Sequence, residues 1–148
     1  MSTYTQIYYH IVFSTKDRVP ALIADKREAL FGYVWGILRN KGSHLYRING
    51  VEDHIHIFTS LPPSICLADL IREIKISTNK WIKQEGIFPA FTSWQQGYGA
   101  FTVSHTDRDE VIEYIKNQEE HHRRLSLRDE LKEMLEKFGV PFDEKYLE

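Results

Sequence analysis

The sequence predicts an α+β fold in which strands and helices follow the order β-α-β-β-α-β. Four segments are rich in β-branched and aromatic residues, as strands are, and two long segments repeat apolar residues at the spacing of a helix face. One helical segment lies between the first and second strands, and the other lies between the third and fourth. This order is typical of one antiparallel sheet with both helices on one face.

The first half of the chain supplies three of the strands and one helix. The helix carries Val34 and Leu38 on its apolar face and is expected to end at Gly42. Asn49 and Gly50 form a dipeptide typical of tight hairpin turns, so the second and third strands are expected to pair. The predicted elements are a strand, a helix and the two hairpin strands, at residues 4–14, 24–41, 43–49 and 51–60.

The second half of the chain adds a helix, a strand and two more helices. Gly97 and Gly99 interrupt the fourth strand and favour a bulge there. Asp107 and Glu110 have the spacing of a capping box, so the third helix is expected to begin at Asp107. The predicted elements are at residues 64–85, 93–104, 107–122 and 127–138.

Length and composition predict one domain of 148 residues, with 42% apolar and 27% charged residues. Its core, residues 1–104, has the order of a ferredoxin-like (RRM-like) sheet, followed by the third helix at 105–122 and a C-terminal helix and tail at 123–148. No apolar run has the length of a membrane span, and the N-terminus lacks a secretion signal, so we expect a cytoplasmic protein.

Charge is distributed unevenly along the chain. Residues 1–100 hold 11 Lys and Arg against 8 Asp and Glu, a net charge of +3, whereas residues 101–148 hold 8 against 13, a net charge of −5. A mildly basic body permits local contact with phosphates, without the strong nonspecific binding of a very basic protein.

Two histidines separated by one residue stand in the third strand. His54 and His56 share one face of that strand with Phe58, while Ile55 and Ile57 point to the other face. Imidazoles at alternate strand positions can converge on one divalent ion. The alternative is that both are ordinary polar residues of a sheet, so a metal site needs further support.

The third helix provides that support through Tyr114 and Gln118. Gln118 follows Val111 and Ile115 in the line that an ordinary buried stripe would give to leucine, and Tyr114 lies one turn before it. An amide oxygen would add a third ligand and leave positions open for substrate. A phenol beside a polarised phosphodiester indicates a nucleophile.

Four motifs, taken in order, resemble the single-tyrosine HUH transposases of small bacterial insertion sequences and their REP-associated relatives. The motifs are YHIVFSTK at residues 9–16, NGVEDHIH at 49–56, WQQGYGAF at 94–101 and YIKNQEEHH at 114–122. The resemblance implies a ferredoxin-like fold, a Mg²⁺ or Mn²⁺ ion held by three ligands and a tyrosine nucleophile. The implied ligands are His54, His56 and Gln118, and the implied nucleophile is Tyr114.

The same resemblance implies how the protein works on DNA. The tyrosine would cut single-stranded DNA, keep a covalent 5′-phosphotyrosine link and release a 3′-hydroxyl that later rejoins DNA. Subterminal hairpins of the element would be the recognition target, and a homodimer would share its two active sites in trans. We expect phosphate contacts from basic residues of the body, namely Lys16, Arg18, Arg39, Lys75 and Lys80.

Two other functions compete with transposition. A non-catalytic RRM-like protein would stack nucleic-acid bases on Tyr8, Phe58 and Phe101, but it leaves the histidines and Tyr114 unexplained. A metal-dependent phosphodiesterase that uses water as its nucleophile would not need Tyr114. The two catalytic hypotheses therefore separate at the tyrosine.

Overall fold

A computed structural model describes residues 1–147, and Glu148 lies outside the described part. The order β-α-β-β-α-β is confirmed, and the strands form one antiparallel sheet in the order β2-β3-β1-β4. The strands are β1 Tyr8–Ser14, β2 Leu45–Gly50, β3 His54–Ser60 and β4 Gly99–Thr102. The helices are α1 Ala24–Asn40, α2 Leu67–Glu85, α3 Arg108–Lys116, α4 Gln118–Arg124 and α5 Leu127–Lys137.

One face of the sheet packs on α1 and α2 as the main hydrophobic core. Ile11 of β1 and Ile55 and Ile57 of β3 are fully buried in it. The helices contribute an apolar stripe, as their sequence spacing predicts. The buried members from α1 and α2 are Leu30, Phe31, Val34, Leu38, Leu70, Ile71, Ile74 and Ile82.

The opposite face of the sheet is covered by the C-terminal part of the chain. Tyr8 and Phe58 pack with Ile115 of α3, while Val12 and Phe101 pack with residues of α5. Tyr8, Phe58 and Phe101 are therefore buried, with exposed fractions of 7%, 0% and 4%. This burial contradicts the RRM-like alternative, because bases cannot stack on rings that helices already cover.

The predicted third helix is wrong as one continuous element. Its helical backbone breaks at Asn117, where φ is −97° and ψ is 25°, and α4 starts at the next residue. At this break the side-chain amide of Asn49 donates to the carbonyls of Ile115 and Lys116 at 3.1 and 3.0 Å. The last carbonyls of a helix lack partners within the helix and commonly accept hydrogen bonds from groups outside it.

The start of that helix also differs from the prediction. Ser104, not Asp107, supplies the cap: its hydroxyl accepts from the backbone N–H of Asp107, and a short 3₁₀ turn, His105–Asp107, precedes α3. A serine oxygen captures the free N–H of the first turn, as at an ordinary helix start.

Two strand predictions were also imprecise. Asn49 and Gly50 belong to β2 rather than to the turn, and the hairpin closes through residues 51–53, with the Val51 N–H donating to the His54 carbonyl at 3.0 Å. The fourth strand is only four residues long, preceded by an isolated bridge between Thr15 and Trp94. Gly97 lies between them with φ +89°, a backbone conformation that does not extend a strand.

The histidine strand is an interior strand of the sheet. β3 pairs with β1 on one side and with β2 on the other, so that His56 faces Val12 and Asn49. Hydrogen bonds on both edges constrain the backbone of β3, as they do that of β1. Within residues 1–147, none of the helices combines the length and hydropathy that crossing a bilayer requires.

Candidate active site

The structure brings His54 and His56 together with Gln118 beneath the C-terminal helices. Both histidines and Gln118 are fully buried. The Nε2 atom of His54 lies 3.3 Å from Oε1 of Gln118, and the rings of the two histidines are 5.1 Å apart. The alternating strand and the broken helix therefore deliver the three predicted ligand residues to one point.

Each histidine is oriented by a partner on its other ring nitrogen. Nδ1 of His54 lies 2.7 Å from the carboxylate of Asp53, and Nδ1 of His56 lies 2.8 Å from Nε2 of His10. A carboxylate bonded to one imidazole nitrogen fixes the tautomer and leaves the other nitrogen free to bind a metal. The two Nε2 atoms consequently point to the same interior space.

Tyr114 reaches the site from α3 of the same chain. Its ring centre lies 6.0 Å from those of His10 and His56, and its ring stacks on His121 at 4.5 Å. The stack and the helix together restrict the phenol to one side of the sheet. Tyr114 thus lies next to the histidine pair, as the spacing of Tyr114 and Gln118 predicted.

Polar contacts fasten α4 to the hairpin that carries the histidines. Nε2 of His122 lies 2.7 Å from a carboxylate oxygen of Glu52, in the loop before β3. The guanidinium of Arg27 lies 4.0 Å from Glu52 and 3.7 Å from Glu119, so it bridges the loop and α4. With Asn49, these contacts hold the end of α3 and the start of α4 against the sheet.

Glu130 of α5 is the site residue that our sequence reasoning missed. Only 1% of it is exposed, and its Oε1 atom accepts from the Tyr114 hydroxyl at 2.7 Å and from the Gln118 amide at 3.2 Å. The signal was in the sequence: Glu130 stands three residues after Leu127 and four before Met134, on the buried side of an amphipathic helix. A charged residue on the buried side of a helix needs a polar partner in the folded protein. The same reasoning applies to Gln118, a polar residue in an apolar stripe.

The electrostatics of the site follow from this burial. Burial alone would raise the pKa of the Glu130 carboxyl, but hydrogen bonding and charge from His56, with help from Tyr114, hold that pKa at about 2. Burial and the nearby Glu130 carboxylate raise the pKa of the Tyr114 phenol well above its usual range. The nucleophile candidate is therefore a neutral phenol, hydrogen-bonded to an ionised carboxylate.

The interior of the site contains a carboxylate oxygen without a hydrogen-bond partner. Among residues 1–147, Oε2 of Glu130 is buried with no hydrogen bond, while Nε2 of His56 lies 2.8 Å from Oε1 of the same carboxylate. Buried polar atoms without partners are costly, and a bound cation removes that cost. Imidazole nitrogens and carboxylate or amide oxygens are ordinary ligands of divalent ions, so these residues fit a metal.

The five basic residues expected to contact DNA do not form one patch. Lys16 and Arg18 lie just after β1, at the end of the sheet where Ser14 pairs with His54. Arg39, stacked over Trp35 at 5.4 Å, and exposed Lys80 lie on α1 and α2, which cover the other face of the sheet.

Two of the five side chains already donate hydrogen bonds to backbone carbonyls of the protein. The ammonium of Lys75 donates to the carbonyls of Gln95 and Gly97, which fastens the loop before β4 to α2. The guanidinium of Arg18 donates to the Leu147 carbonyl at 3.0 Å. A role of either residue on DNA stays a prediction.

Comparison with known proteins supplies the family. The model of the family described as transposase IS200 like matches residues 3–118, which include β1 to β4, Tyr114 and Gln118. The chain belongs to this family. An IS200-like transposase is an enzyme that cuts and transfers DNA, so the buried cluster belongs to a DNA-processing enzyme.

Individual relatives agree with the family. The ISDra2 transposase TnpA of Deinococcus radiodurans is 22% identical to this transposase over 120 residues, covering 76% of this chain and 84% of that protein. A crystal structure of a Deinococcus radiodurans protein assigned as a transposase has a TM-score of 0.63 at 21% identity, covering 80% of this chain and 95% of the other.

A second solved structure has the same fold. It is a REP-associated tyrosine transposase bound to a REP hairpin, with a TM-score of 0.62 at 16% identity, covering 86% of this chain and 78% of the other. At these identities the two structures support the fold of this transposase.

Proposed function

We propose that this transposase cuts and rejoins single-stranded DNA through a covalent 5′-phosphotyrosine on Tyr114. One observation carries the proposal: the Tyr114 hydroxyl and the Gln118 amide bind the same Glu130 oxygen, which lies 2.8 Å from Nε2 of His56. A nucleophile and a set of metal ligands thus share one buried point. A protein that only binds nucleic acid has no need of that arrangement.

The roles of the residues follow from their positions. His54, His56 and Gln118 would hold Mg²⁺ or Mn²⁺, which supplies Lewis-acid polarisation of the scissile phosphate when it is bound. Asp53 and His10 orient the two imidazoles through their Nδ1 atoms. Both are therefore positioning residues, whereas Tyr114 would touch the reacting phosphorus.

The reaction exchanges one ester for another. The Tyr114 oxygen forms a bond to phosphorus, and the bond from phosphorus to the 3′ oxygen breaks. The phenol loses its proton and the released 3′ oxygen gains one. The number of phosphate esters is unchanged, so rejoining by a 3′-hydroxyl needs no nucleotide cofactor.

Covalent capture is the decisive experiment. A labelled single-stranded oligonucleotide that carries a hairpin and a cleavage site from the element is incubated with Mn²⁺ and protein, then resolved under denaturing conditions. Tyr114→Phe should abolish the protein–DNA adduct and leave hairpin binding within a few fold, because only the nucleophilic oxygen is lost. The control Tyr33→Phe removes a phenol that stacks on Trp81, far from the site, and should form adduct normally.

The phosphodiesterase hypothesis predicts the opposite result. If water is the nucleophile, Tyr114→Phe still cuts the oligonucleotide and no adduct forms with either protein. Cleavage without adduct by the unmodified protein would therefore overturn the tyrosine assignment. Full cleavage in excess EDTA would overturn the metal assignment.

The proposed substrate is single-stranded DNA that carries a hairpin. A structurally similar protein binds a REP hairpin, and the mildly basic body of this chain suits phosphate contacts. Competition at fixed salt should show a preference for the hairpin oligonucleotide over perfect duplex. Equal affinity for both would contradict a hairpin substrate.

The proposed assembly is a homodimer in which the helix of Tyr114 is exchanged between subunits. The contacts described above place Tyr114 beside His56 of its own chain, so exchange requires α3 and α4 to leave the Asn49 and Glu52 contacts. Co-expression of His56→Ala with Tyr114→Phe tests it, because a trans site would reunite an intact histidine with an intact tyrosine. Folded heterodimers without cleavage would show that the site works in cis.

A further inference from the structure

We infer that Glu130 of α5 is itself a ligand of the divalent ion, in addition to His54, His56 and Gln118. The inference rests on the proposed function, because it concerns the same metal. It adds a charged oxygen ligand from a helix that follows the predicted ligand residues in the chain. Residues 3–118, which match the family model, do not include it.

The two oxygens of Glu130 have different surroundings. Oε1 accepts from the Tyr114 hydroxyl and the Gln118 amide. Oε2 is buried, has no hydrogen bond within the described part of the chain, and lies 3.9 Å from Nε2 of His54. A carboxylate accepts several contacts, so an oxygen buried without one is open to a further partner. Because Oε2 lies beside His54, that further partner would lie next to the histidines.

The spacing of the ligand atoms suits one ion. Ligand atoms of His54, His56 and Glu130 all lie within 4.8 Å of one another. Neighbouring ligands of an octahedral ion with bonds of about 2.1 Å are about 3 Å apart, and opposite ligands are about 4.2 Å apart. The distance of 3.9 Å from Oε2 of Glu130 to Nε2 of His54 falls close to the second of these values, and Oε1 of the same carboxylate lies 2.8 Å from Nε2 of His56.

Charge gives an independent reason. Two neutral imidazoles and an amide place no negative charge beside a dication, and Asp53 is already bonded to the outer nitrogen of His54. Glu130 is fully buried and forms its ion pairs with imidazoles, which are charged only when protonated. A divalent ion would add a full positive charge next to this buried carboxylate, which the imidazoles alone supply only when protonated.

The same carboxylate links the ion to the nucleophile. One oxygen holds the Tyr114 hydroxyl at 2.7 Å while the other is free for the ion. Docking of α5 would then set both the metal affinity and the position of the phenol. Glu130 is thus more than a partner that compensates a buried tyrosine.

Metal binding without DNA tests the inference. Mn²⁺ affinity is measured at fixed pH from the EPR signal of free Mn²⁺, with unmodified protein, Glu130→Gln and His56→Ala. Loss of a ligand should weaken Mn²⁺ binding by about tenfold or more in both variants. The matched control Glu133→Gln makes the same charge change one turn away at an exposed position, and its affinity should change less than about twofold.

A measurement on the unmodified protein does not depend on a variant that has to fold. Protein labelled with ¹³C at the glutamate carboxyl carbons is loaded with Mn²⁺ and examined by ENDOR. A directly bound carboxylate gives a ¹³C coupling, and the coupling should persist in Glu52→Gln, which removes the other glutamate near the histidines. No coupling in the loaded unmodified protein would overturn the inference.

The outcomes also separate this inference from the proposed function. If His56→Ala loses Mn²⁺ affinity and folded Glu130→Gln keeps it, Glu130 is no ligand and the three-ligand site stands. If the unmodified protein binds Mn²⁺ no better than His56→Ala, the metal site of the proposed function fails. Weak binding by Glu130→Gln together with the ¹³C coupling supports Glu130 as a ligand.

Discussion

The two faces of β3 differ although they belong to the same seven residues. Ile55 and Ile57 point into an apolar core with α1 and α2. His54 and His56 point to the other face, which is equally buried but holds imidazoles, an amide, a phenol and a carboxylate. Both faces are equally buried, but one forms the hydrophobic core and the other forms the candidate site.

This difference shows how one strand separates stability from chemistry. Buried apolar groups stabilise a fold in proportion to the area removed from water, whereas a buried hydrogen bond contributes a net gain of only about 0.5–1.5 kcal/mol after the cost of desolvation. The apolar face therefore supports the fold on which the polar face is held. Substitutions at neighbouring residues of β3 should consequently affect different measurements.

The largest effect is expected at His56 on the polar face. His56→Ala should lower the rate of single-strand cleavage by on the order of 10³-fold, because metal polarisation of the phosphate is worth several kcal/mol. Secondary structure by circular dichroism should remain that of the unmodified protein. A cleavage rate within tenfold of normal would show that the polar face is structural.

The next effect is expected at Ile57, the adjacent residue on the apolar face. Ile57→Ala should lower the free energy of unfolding by about 2–5 kcal/mol, since it leaves a cavity in a fully packed core. Cleavage per folded molecule, measured well below the melting temperature, should be nearly normal. A cleavage defect as large as that of His56→Ala would contradict the separation of the two faces.

Metal should stabilise the polar face specifically. Mn²⁺ at about 100 times its dissociation constant should raise the free energy of unfolding by about 2.7 kcal/mol, because the ion binds the folded chain. Differential scanning fluorimetry with and without Mn²⁺ measures this as a rise in Tm. The rise should vanish in His54→Ala and persist in Ile57→Ala, and an equal rise in both would argue against a site on β3.

The smallest effect is expected at Asn49, whose amide ends α3. Asn49→Ala removes two hydrogen bonds to the Ile115 and Lys116 carbonyls and should cost about 1–2 kcal/mol. Amide hydrogen exchange should speed up in α3 and α4 but not in α1. Unchanged exchange in α3 would mean that the break at Asn117 does not depend on Asn49.

Local pattern predicted the apolar face better than it predicted the site. The period-two alternation of β3 assigned Ile55 and Ile57 to the core, and the same alternation placed His54 and His56 on the other face. The spacing of Tyr114 and Gln118 predicted that both would approach that face. Such local signals depend on a few neighbouring residues, so one sequence is enough to read them.

Features that depend on distant contacts could not be read in this way. The break at Asn117 coincides with hydrogen bonds from Asn49, 68 positions earlier in the chain. Glu130 was visible only as a charge within an apolar stripe, and its partners on β3 and α3 depend on how α5 docks. Periodicity identifies the buried side of a helix, but it does not say which residues that side will meet.

The order in which the ribosome makes these residues has a consequence for timing. The histidine strand is synthesised first, Tyr114 and Gln118 follow, and Glu130 is made after all of them. The segments of one domain fold as a unit, so the site needs every one of these segments. The carboxylate that holds the tyrosine hydroxyl is the last of these parts to be made. A nascent chain therefore cannot present the fully organised nucleophile to DNA before α5 has been synthesised.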